Sequence, residues 1–260
     1  MIWTGLLGEA DVPDTLLFYK SNAHYGLRAP TEEECQNGRL GKQLFLVGVR
    51  MNGRLIAVAW IAWKSNFIHT VFSGDTLFLV DEGPFADSGG WCIHKDLQGR
   101  ELFQLLTATV FVSWFKEINT EEALPLWGRM MGQKDANGAP LFWSKVGEAL
   151  TGLSYHTLLE LPFGSMEREI LSSWPKEPLF LSSVPREVLL SKGKTFAPLI
   201  SAGRRLSQWG FVDTALYVPT SLNFFKRVTK GTLHESIGDL DAFFQEARGR
   251  ALVSLNSLTT

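Results

Sequence analysis

Two long apolar segments joined by an Asn-Gly pair constrain the fold of this chain more than any other feature of its sequence. Residues 43–51 (QLFLVGVRM) and 54–63 (RLIAVAWIAW) flank Asn52 and Gly53. Asn-Gly supplies the two positive-φ residues of a type I′ turn, so the two segments are predicted to form a β-hairpin. Because both arms are apolar almost throughout, the sheet that contains them is expected to be covered on both faces.

Helix and strand patterns on either side of the hairpin predict an α/β chain. Residues 11–39 are amphipathic in two pieces, with Thr31 as the N-cap of the second piece and Glu34 completing a capping box. The later segments are predicted as a short strand and loop over 75–90, a short strand over 91–94, a helix over 99–116, a strand over 124–132, a helix over 141–150 and a strand over 154–161. This order provides the crossovers that parallel strand pairing requires.

The last hundred residues are predicted to form a separate extension. Four prolines break the segment that follows residue 161, and residues 198–218 then predict a helix, a stop at Gly210 and a strand. Asp239 or Asp241 is the expected N-cap of a last helix over 241–250, ahead of a final strand over 251–255. We therefore predict a core over residues 1–161 and an α/β extension over residues 162–260.

Composition excludes several functional classes. The 260 residues are 45% hydrophobic, which is enough for a well-buried core, and the formal net charge of −2 gives no field that would attract nucleic acid or an acidic membrane. Cys35 and Cys92 form no disulfide framework, so both are expected to be free thiols in a reducing cytoplasm. The N-terminal residues lack the basic start of a secretory signal, and the longest uncharged stretch, Leu102–Phe115, is too short to span a membrane.

Local catalytic motifs do not point to a nucleophile or a metal. The five histidines show no HxH or HxxxH spacing, and the chain has no GxSxG elbow, no Walker loop and no acidic cluster of the kind that binds magnesium. No metal site is therefore expected.

The segment Ile93–Leu106 (IHKDLQGRELFQLL) has the form of a phosphate-binding turn. A strand end runs into a polar turn and then into an apolar helix that is expected to begin near Gly99. Such a helix presents its first free N–H groups and the positive end of its dipole to a bound anion. Close approach of a phosphate favours glycine in the turn, and this chain has Glu101 and Phe103 instead.

The same segment resembles the acyl-CoA loop of the GNAT acyltransferase superfamily. That loop opens with Arg or Gln, which Gln98 matches here, and then has small residues where this chain has Glu101 and Phe103. Over roughly residues 43–255 the chain is also similar to the arginine N-succinyltransferase family, which shares the GNAT fold. The matching positions are Met130, Gly132, Asp135, Gly138, Phe142, Trp143, Gly147, Gly193, Ala202, Leu206, Gly210, Phe211, Gly231, Thr232, Leu233 and Ile237.

The departures from that family fall mostly on polar positions. Phe196 replaces a histidine, Met131 replaces an arginine, and KRVTKGT (226–232) replaces an acidic Asp-Gly-Gly-Pro segment. The acid that precedes the fourth strand of the fold is retained as Asp87. The matched glycines and aromatic residues determine backbone and packing, whereas the altered residues determine chemistry.

The resemblance implies an α/β fold of the GNAT type: a mixed, mostly antiparallel central sheet with helices on both faces and the extension packed on the same sheet. It implies an acyl-CoA-dependent N-acyltransferase that uses succinyl-CoA or acetyl-CoA as cosubstrate, has no permanently bound cofactor, and acts on a small-molecule amine. The implied CoA-binding residues are Trp91, Cys92, Ile93, Gln98, Gly99, Arg100, Glu101, Leu102 and Phe103. Asp87 is the candidate base that acts through water, and Tyr217 the candidate donor of a proton to the leaving thiolate.

A non-catalytic binding or structural protein of the same fold is the alternative. At about 4 Å, repulsion between Glu101 and a diphosphate amounts to about 1 kcal/mol in water and about 4 kcal/mol at an effective dielectric constant of 20. The attraction of the helix end is only about 0.3–1 kcal/mol, so an inward-facing Glu101 would weaken CoA binding. Homo-oligomer formation is left open by the sequence.

The GNAT resemblance also predicts a gap in the sheet. The strands over 91–94 and 124–131 are expected to splay apart and admit the pantetheine arm.

Overall fold

The computed structural model describes residues 1–22, 30–40, 43–99, 101–119, 124–162 and 165–257. The strands within these ranges are β1 (Ile2–Leu6), β2 (Leu44–Met51), β3 (Arg54–Lys64), β4 (Ile68–Ser73), β5 (Thr76–Asp81), β6 (Phe85–Ile93), β7 (Leu126–Arg129), β8 (Leu179–Phe180), β9 (Val212–Tyr217) and β10 (Phe224–Val228). The helices are α1 (Val12–Asn22), α2 (Glu32–Leu40), α3 (Leu102–Val112), α4 (Glu148–Thr151), α5 (Tyr155–Glu160), α6 (Ser165–Ser173), α7 (Arg186–Ser191), α8 (Ile200–Gln208), α9 (Lys230–Ile237) and α10 (Leu240–Asn256).

The strands in the described ranges form one sheet in the order β1-β2-β3-β6-β7-β10-β9-β4-β5-β8. Only β6 and β7 are parallel among the neighbouring pairs of this sheet, so the predicted mixed and mostly antiparallel α/β fold is confirmed. Residues 162–260 supply β8, β9 and β10 to the same sheet, and the boundary at residue 161 stays a prediction.

Burial on both faces of β2 and β3 confirms the interpretation of the hairpin. Val47, Val49 and Ile61 pack on one face with α3 and α10, while Val58 and Trp60 pack on the other face with α1. The connecting turn has Asn52 at φ 50° and Gly53 at φ 82°, as a type I′ turn requires. A two-sided core of this kind explains why the hairpin arms do not alternate between apolar and polar residues.

Several local predictions are also confirmed. Thr31 and Glu34 form the capping box, with the Thr31 amide donating to Glu34 Oε2 at 2.7 Å and the Glu34 amide donating to Thr31 Oγ1 at 3.2 Å. Asp239 caps α10 by accepting a hydrogen bond from the Ala242 amide. Cys35 and Cys92 are buried free thiols. No helix in the described ranges combines the length and apolar character that crossing a bilayer demands.

The predicted strand over 154–161 is wrong, because these residues form α5. Ser154 Oγ accepts a hydrogen bond from the Thr157 amide at 3.0 Å, and this cap starts a helix that turns Leu158 into the core. A serine N-cap followed by apolar residues at helical spacing outweighs the strand propensity of the segment.

The predicted strand over 251–255 is also wrong. Residues 240–256 form the single helix α10, whose buried residues Ala247, Ala251 and Leu255 recur every four positions. The pattern of that apolar run therefore has the helical period rather than the period of a strand.

The starts of β6 and α3 differ from the predicted ones. The predicted loop before Trp91 is part of β6, which begins at Phe85, because Ala86 and Asp87 pair with both β3 and β7. The long helix begins at Leu102 rather than near Gly99 and ends in a π-helical turn over Ser113–Ile118. The sequence did not reveal β1 or β10.

Gly210 provides a test of the packing of the extension. In this backbone, which has φ +92°, a Cβ atom would lie 2.7 Å from Thr232 O and 2.8 Å from Leu233 Cα. We expect Gly210→Ala to lower the free energy of unfolding by at least about 2 kcal/mol, because both conformation and space oppose the methyl group. Gly249→Ala, in the middle of α10 with no atom within 4 Å of the added methyl group, is expected to raise it by about 0.5–1 kcal/mol. Urea unfolding followed by tryptophan fluorescence measures both, and equal stability of the two variants would contradict the structure.

Candidate active site

The predicted gap in the sheet is present between β6 and β7. The two strands pair only through Ala86–Leu126, Asp87–Trp127 and Ser88–Gly128. Beyond Ser88, β6 continues to Ile93, whereas β7 ends at Arg129, so no described strand pairs with this side of residues 89–93. A cleft of about 320 Å³ opens at the divergence.

A bulge in β6 helps to turn the strand away from β7. The register between β3 and β6 shifts between Val58 and Trp60, and Gly90 has φ +62°. A Cβ atom at Gly89 or Gly90 would lie 2.4 or 2.3 Å from atoms of the Trp60 ring, so the ring fits only against glycine. Tyr19 fixes the bulge from the α1 side by donating its hydroxyl hydrogen to Gly90 O at 2.7 Å.

The two walls of the cleft differ in polarity. Asp87 and Arg129 line the cleft near the point where β6 and β7 part, on the face of the sheet that carries Trp60. The opposite wall is mainly apolar and is formed by α8 and its neighbours, with the side chains of Met130, Met131, Leu199, Ala202, Leu206 and Phe211. An apolar channel that ends at charged groups has the general form of a small-molecule site.

The charged end of the cleft is a buried cluster of two cations and two carboxylates. Lys64 Nζ lies 3.3 Å from Asp87 Oδ2 and 2.9 Å from Glu167 Oε1. Arg129 Nε lies 3.0 Å from Asp87 Oδ2, and the same guanidinium donates a hydrogen bond to Glu167 Oε1. Glu167 comes from α6, so the cluster joins the C-terminal part of the chain to β3, β6 and β7.

The cluster determines the charge states of its members. Burial alone would raise the pKa of Glu167, but the charges and hydrogen bonds of Lys64 and Arg129 outweigh burial and lower this pKa well below its ordinary value. Burial likewise opposes the charge of Arg129, but Asp87 and Glu167 more than compensate and raise the pKa of the guanidinium. Glu167, which is buried, and Arg129, whose side chain is partly exposed, are therefore both ionised at neutral pH.

Asp87 retains one oxygen atom outside the ion pairs. Its side chain is fully buried, and both cations approach Oδ2 at ion-pair distance, but neither Oδ1 nor Oδ2 makes a hydrogen bond in the structure. Buried carboxylate oxygens are normally satisfied, so an unpaired one at the end of a cleft is a position where a ligand donor can bind. The predicted candidate base therefore lines the cleft near the point where β6 and β7 part.

A further cation, Lys226 on β10, is buried and lines the opposite wall of the cleft. Its Nζ donates to Asp213 Oδ1 at 2.7 Å and to Ser207 Oγ at 2.8 Å. The sequence analysis did not single out Lys226, Lys64, Arg129 or Glu167. The sequence signal that could have identified these four residues is a charged residue within an otherwise apolar strand or helix pattern.

The turn that precedes α3 has the backbone conformation of a glycine-rich turn, but its side chains are larger. Gly99 has φ +81°, and Glu101 is in the left-handed conformation with φ 59° and ψ 6°. This conformation costs a residue other than glycine about 1–2 kcal/mol, which explains the preference for a small residue there. The Glu101 carboxylate lies 3.9 Å from the Arg205 guanidinium and faces a separate depression beside α8 and α10 rather than the cleft.

Phe103 is the residue of the turn that enters the cleft. Its ring lies between those of Trp91 and Trp209, with centroids 5.7 Å from each, and lines the channel beside Trp91. The ring therefore takes up space in the cleft where the resemblance leads one to expect a small residue.

The remaining predicted residues are distributed around the cleft rather than inside it. Cys92 points into the core beneath α1, where burial raises the pKa of the thiol to about 11. Ile93 and Leu102 pack into the core on the other face, and Gln98 and Gly99 are exposed. Arg100 lies outside the described residues.

Tyr217 is not brought to the cleft. It packs between Phe72 and Phe224, with the Lys192 ammonium 5.4 Å from its ring centroid, on the β9 side of the sheet. Burial raises the pKa of its hydroxyl.

Comparison with known proteins supports the fold. No protein-family model matches the sequence, and no curated protein matches it. The structure is similar to arginine/ornithine succinyltransferase subunit AI from Pseudomonas aeruginosa, with a TM-score of 0.60 and 14% sequence identity over 90% of this chain and 78% of that chain. At this identity the similarity establishes the fold alone, and the predicted likeness in fold to the arginine N-succinyltransferases is confirmed.

Two other solved structures share less of the chain. One, from Enterococcus faecalis V583, is described as a probable N-acyltransferase and has a TM-score of 0.30 with 12% identity over 56% of this chain and 32% of that chain. The other, a GCN5-related N-acetyltransferase from Kribbella flavida, has a TM-score of 0.30 with 12% identity over 53% of this chain and 31% of that chain. Both similarities are too low to support an argument.

The buried cluster predicts a particular dependence of stability on pH. Because the pKa of Glu167 is lower in the folded chain than the value of about 4.3 in an unfolded one, its stabilisation is present above that pH and is lost as the pH falls. We expect Glu167→Gln to lower the free energy of unfolding by about 3 kcal/mol at pH 7 and by progressively less between pH ~5 and ~3.

Glu169→Gln, two residues away on α6, removes the same charge outside the cluster and is the matched control. Urea unfolding at a series of pH values measures the free energy of unfolding of the wild type and of both variants. A deficit of Glu167→Gln that stays constant down to pH ~3 would contradict a paired, ionised Glu167.

Proposed function

We propose that this chain, a divergent protein of the GNAT fold, is an acyl-CoA-dependent N-acyltransferase in which a substrate amine attacks the thioester directly. The observation that supports this proposal is the cleft between β6 and β7 with the buried carboxylate of Asp87 near the point where the two strands part. Such an enzyme needs a channel for an extended acyl carrier and a group that accepts the proton of the attacking amine.

The carrier fits along the unpaired side of β6. Residues 89–93 extend about 16 Å at about 3.3 Å per residue, roughly the span of an extended pantetheine arm, and their backbone polar groups face no neighbouring strand on that side. In this proposal Trp91 and Phe103 form apolar walls, while Cys92, Ile93 and Leu102 contribute backbone only. The diphosphate lies over the described residues of the turn, Gln98, Gly99 and Glu101, beside the first amides of α3.

The chemistry takes place where β6 and β7 meet. Asp87 accepts a proton from the substrate ammonium, directly or through one water molecule, and the neutral nitrogen attacks the thioester carbonyl carbon. A C–N bond forms and the C–S bond breaks. The attacking nitrogen loses its second proton in this step, and this proton neutralises the departing thiolate. Tyr217 lies among Phe72 and Phe224, away from the cleft lining, so the proposal assigns it no role in protonating the thiolate.

The donor in this proposal is succinyl-CoA or acetyl-CoA, and the acceptor is a small-molecule amine. The similar protein from Pseudomonas aeruginosa is by name an arginine/ornithine succinyltransferase. Met131, which replaces an arginine of that family, lines the cleft here, and Phe196, which replaces a histidine, packs against the Lys134 ammonium. The replacement by Met131 makes the wall of the cleft more apolar, so we propose an acceptor less polar than arginine.

A non-catalytic protein of the same fold is the second candidate, and Phe103 favours it. Its ring occupies part of the channel where small residues are expected. The position of Glu101 removes the other objection, because its carboxylate faces Arg205 and not the channel.

Ligand-induced stabilisation tests the carrier site. CoA, acetyl-CoA and succinyl-CoA at about 100 times the dissociation constant should stabilise the protein by about 2.7 kcal/mol, measured as a thermal shift. Ala202→Trp, which fills the cleft from α8, is expected to abolish the shift. Ser201→Trp, at an exposed position of the same helix, is the matched control and should preserve it.

Absence of a shift in the wild-type protein with all three compounds at millimolar concentration would remove the transferase proposal. If Phe103→Ala then acquired a shift that the wild type lacks, the second candidate would be favoured.

Removal of the candidate base tests the chemistry separately from binding. Asp87→Asn is expected to lower kcat for acyl transfer by about 10²–10⁴-fold, because the amine proton loses its acceptor, while the thermal shift with acyl-CoA persists. Asp75→Asn, in the exposed turn between β4 and β5, is the charge-matched control. CoA release with a panel of primary amines measures the rate, and full activity of Asp87→Asn would exclude Asp87 as the base.

A further inference from the structure

We propose that Glu167 is a positioning residue for the acyl-transfer site: it holds Lys64 and Arg129 so that Asp87 keeps one oxygen atom available to the substrate. This inference rests on the proposed N-acyltransferase function. It assigns a role to a residue of α6 that lies outside the lining of the cleft and far from β6 in the sequence.

The contacts of the cluster are divided unequally between the two carboxylates. Lys64 Nζ is closer to Glu167 Oε1, at 2.9 Å, than to Asp87 Oδ2, at 3.3 Å. The Arg129 guanidinium donates a hydrogen bond to Glu167 Oε1 and contacts Asp87 through Nε on the Oδ2 side only. Both cations are thus drawn to Glu167, and Asp87 Oδ1 is left without a hydrogen-bond partner.

Charge neutrality of the cluster depends on Glu167. With Glu167 ionised, two cations face two carboxylates, whereas without its charge both cations would face Asp87 alone. Two cations on one carboxylate make that carboxylate harder to protonate and bring donors to its second oxygen. A general base in that environment accepts a proton from the amine less readily.

Tyr155, a further ionisable residue near the cluster, does not supply the negative charge that Glu167 provides. The hydroxyl of Tyr155, on α5, is influenced by the Arg129 charge, but burial is the larger effect and raises the pKa of that hydroxyl, so Tyr155 is neutral at physiological pH. The groups that face Asp87 with charge are therefore Lys64 from β3 and Arg129 from β7, and Glu167 from α6 faces those two cations.

The test compares a single with a charge-balanced double substitution. Glu167→Gln is expected to lower kcat about tenfold and to move the acidic limb of the pH profile of kcat/KM down by about one to two pH units. The direction of the shift follows because Lys64 and Arg129 would then face one carboxylate instead of two. Lys64→Gln/Glu167→Gln removes one charge of each sign, and it should return the limb to within about half a pH unit of wild type. Glu169→Gln is the control and should match wild type.

The outcomes separate this inference from the function on which it rests. A wild-type protein that releases no CoA with any amine overturns both. An active wild type together with an unchanged acidic limb in Glu167→Gln overturns the positioning role alone, as does a double variant whose limb stays shifted. Circular dichroism and the melting temperature of each variant verify folding at the assay temperature. If Glu167→Gln does not fold, the double variant decides: activity with a limb at the wild-type pH supports the inference, and loss of activity overturns it.

Discussion

The divergence of β6 from β7 after three residue pairs is the feature on which the candidate site depends. Up to Ser88 the two strands are hydrogen-bonded neighbours in a parallel pair. Beyond it β6 bends at Gly90, where only glycine fits because the Trp60 ring leaves no room for a side chain. The unpaired side of the strand then borders a channel instead of another strand. A sheet buried on both faces can contain such a channel only because α8 and α3 enclose it with apolar side chains.

Four charged groups meet where β6 and β7 part: Asp87 and Glu167 are buried, and Lys64 and Arg129 are half-buried. They join α6 to β3, β6 and β7. Isolated, any of these charges would be strongly unfavourable in the interior, and breaking such a cluster by removing one partner typically costs about 3–5 kcal/mol. The cluster is therefore under two constraints. It must stay neutral to be tolerated, and in the proposed reaction the substrate must reach Asp87 Oδ1, which is buried and has no hydrogen-bond partner. Glu167 meets the first requirement from outside the channel, so the carboxylate inside the channel remains available for the second.

The turn before α3 shows how a fold can keep a backbone conformation after its side chains have changed. Glu101 retains the left-handed conformation that suits glycine, at a cost of about 1–2 kcal/mol, and its charge is directed to Arg205. Phe103 instead becomes part of an aromatic series with Trp91 and Trp209. The electrostatic objection to a diphosphate is thus weakened by geometry, and the remaining obstacle is the volume of one aromatic ring.

The sequence by itself determined the hairpin at Asn52–Gly53, the two-sided core and the capping of α2 and α10, because each depends on local turn chemistry or on apolar periodicity. The position of the gap came from the resemblance to a known family and not from local pattern. It misassigned residues 154–161 and 251–255, where short apolar runs suit both strand and helix and only packing decides. Tertiary structure alone brought Glu167 to Lys64 and Arg129 and separated Tyr217 from Asp87. Contacts between residues distant in sequence leave no periodic signal, so the partners of a buried charge become visible only once the chain has folded.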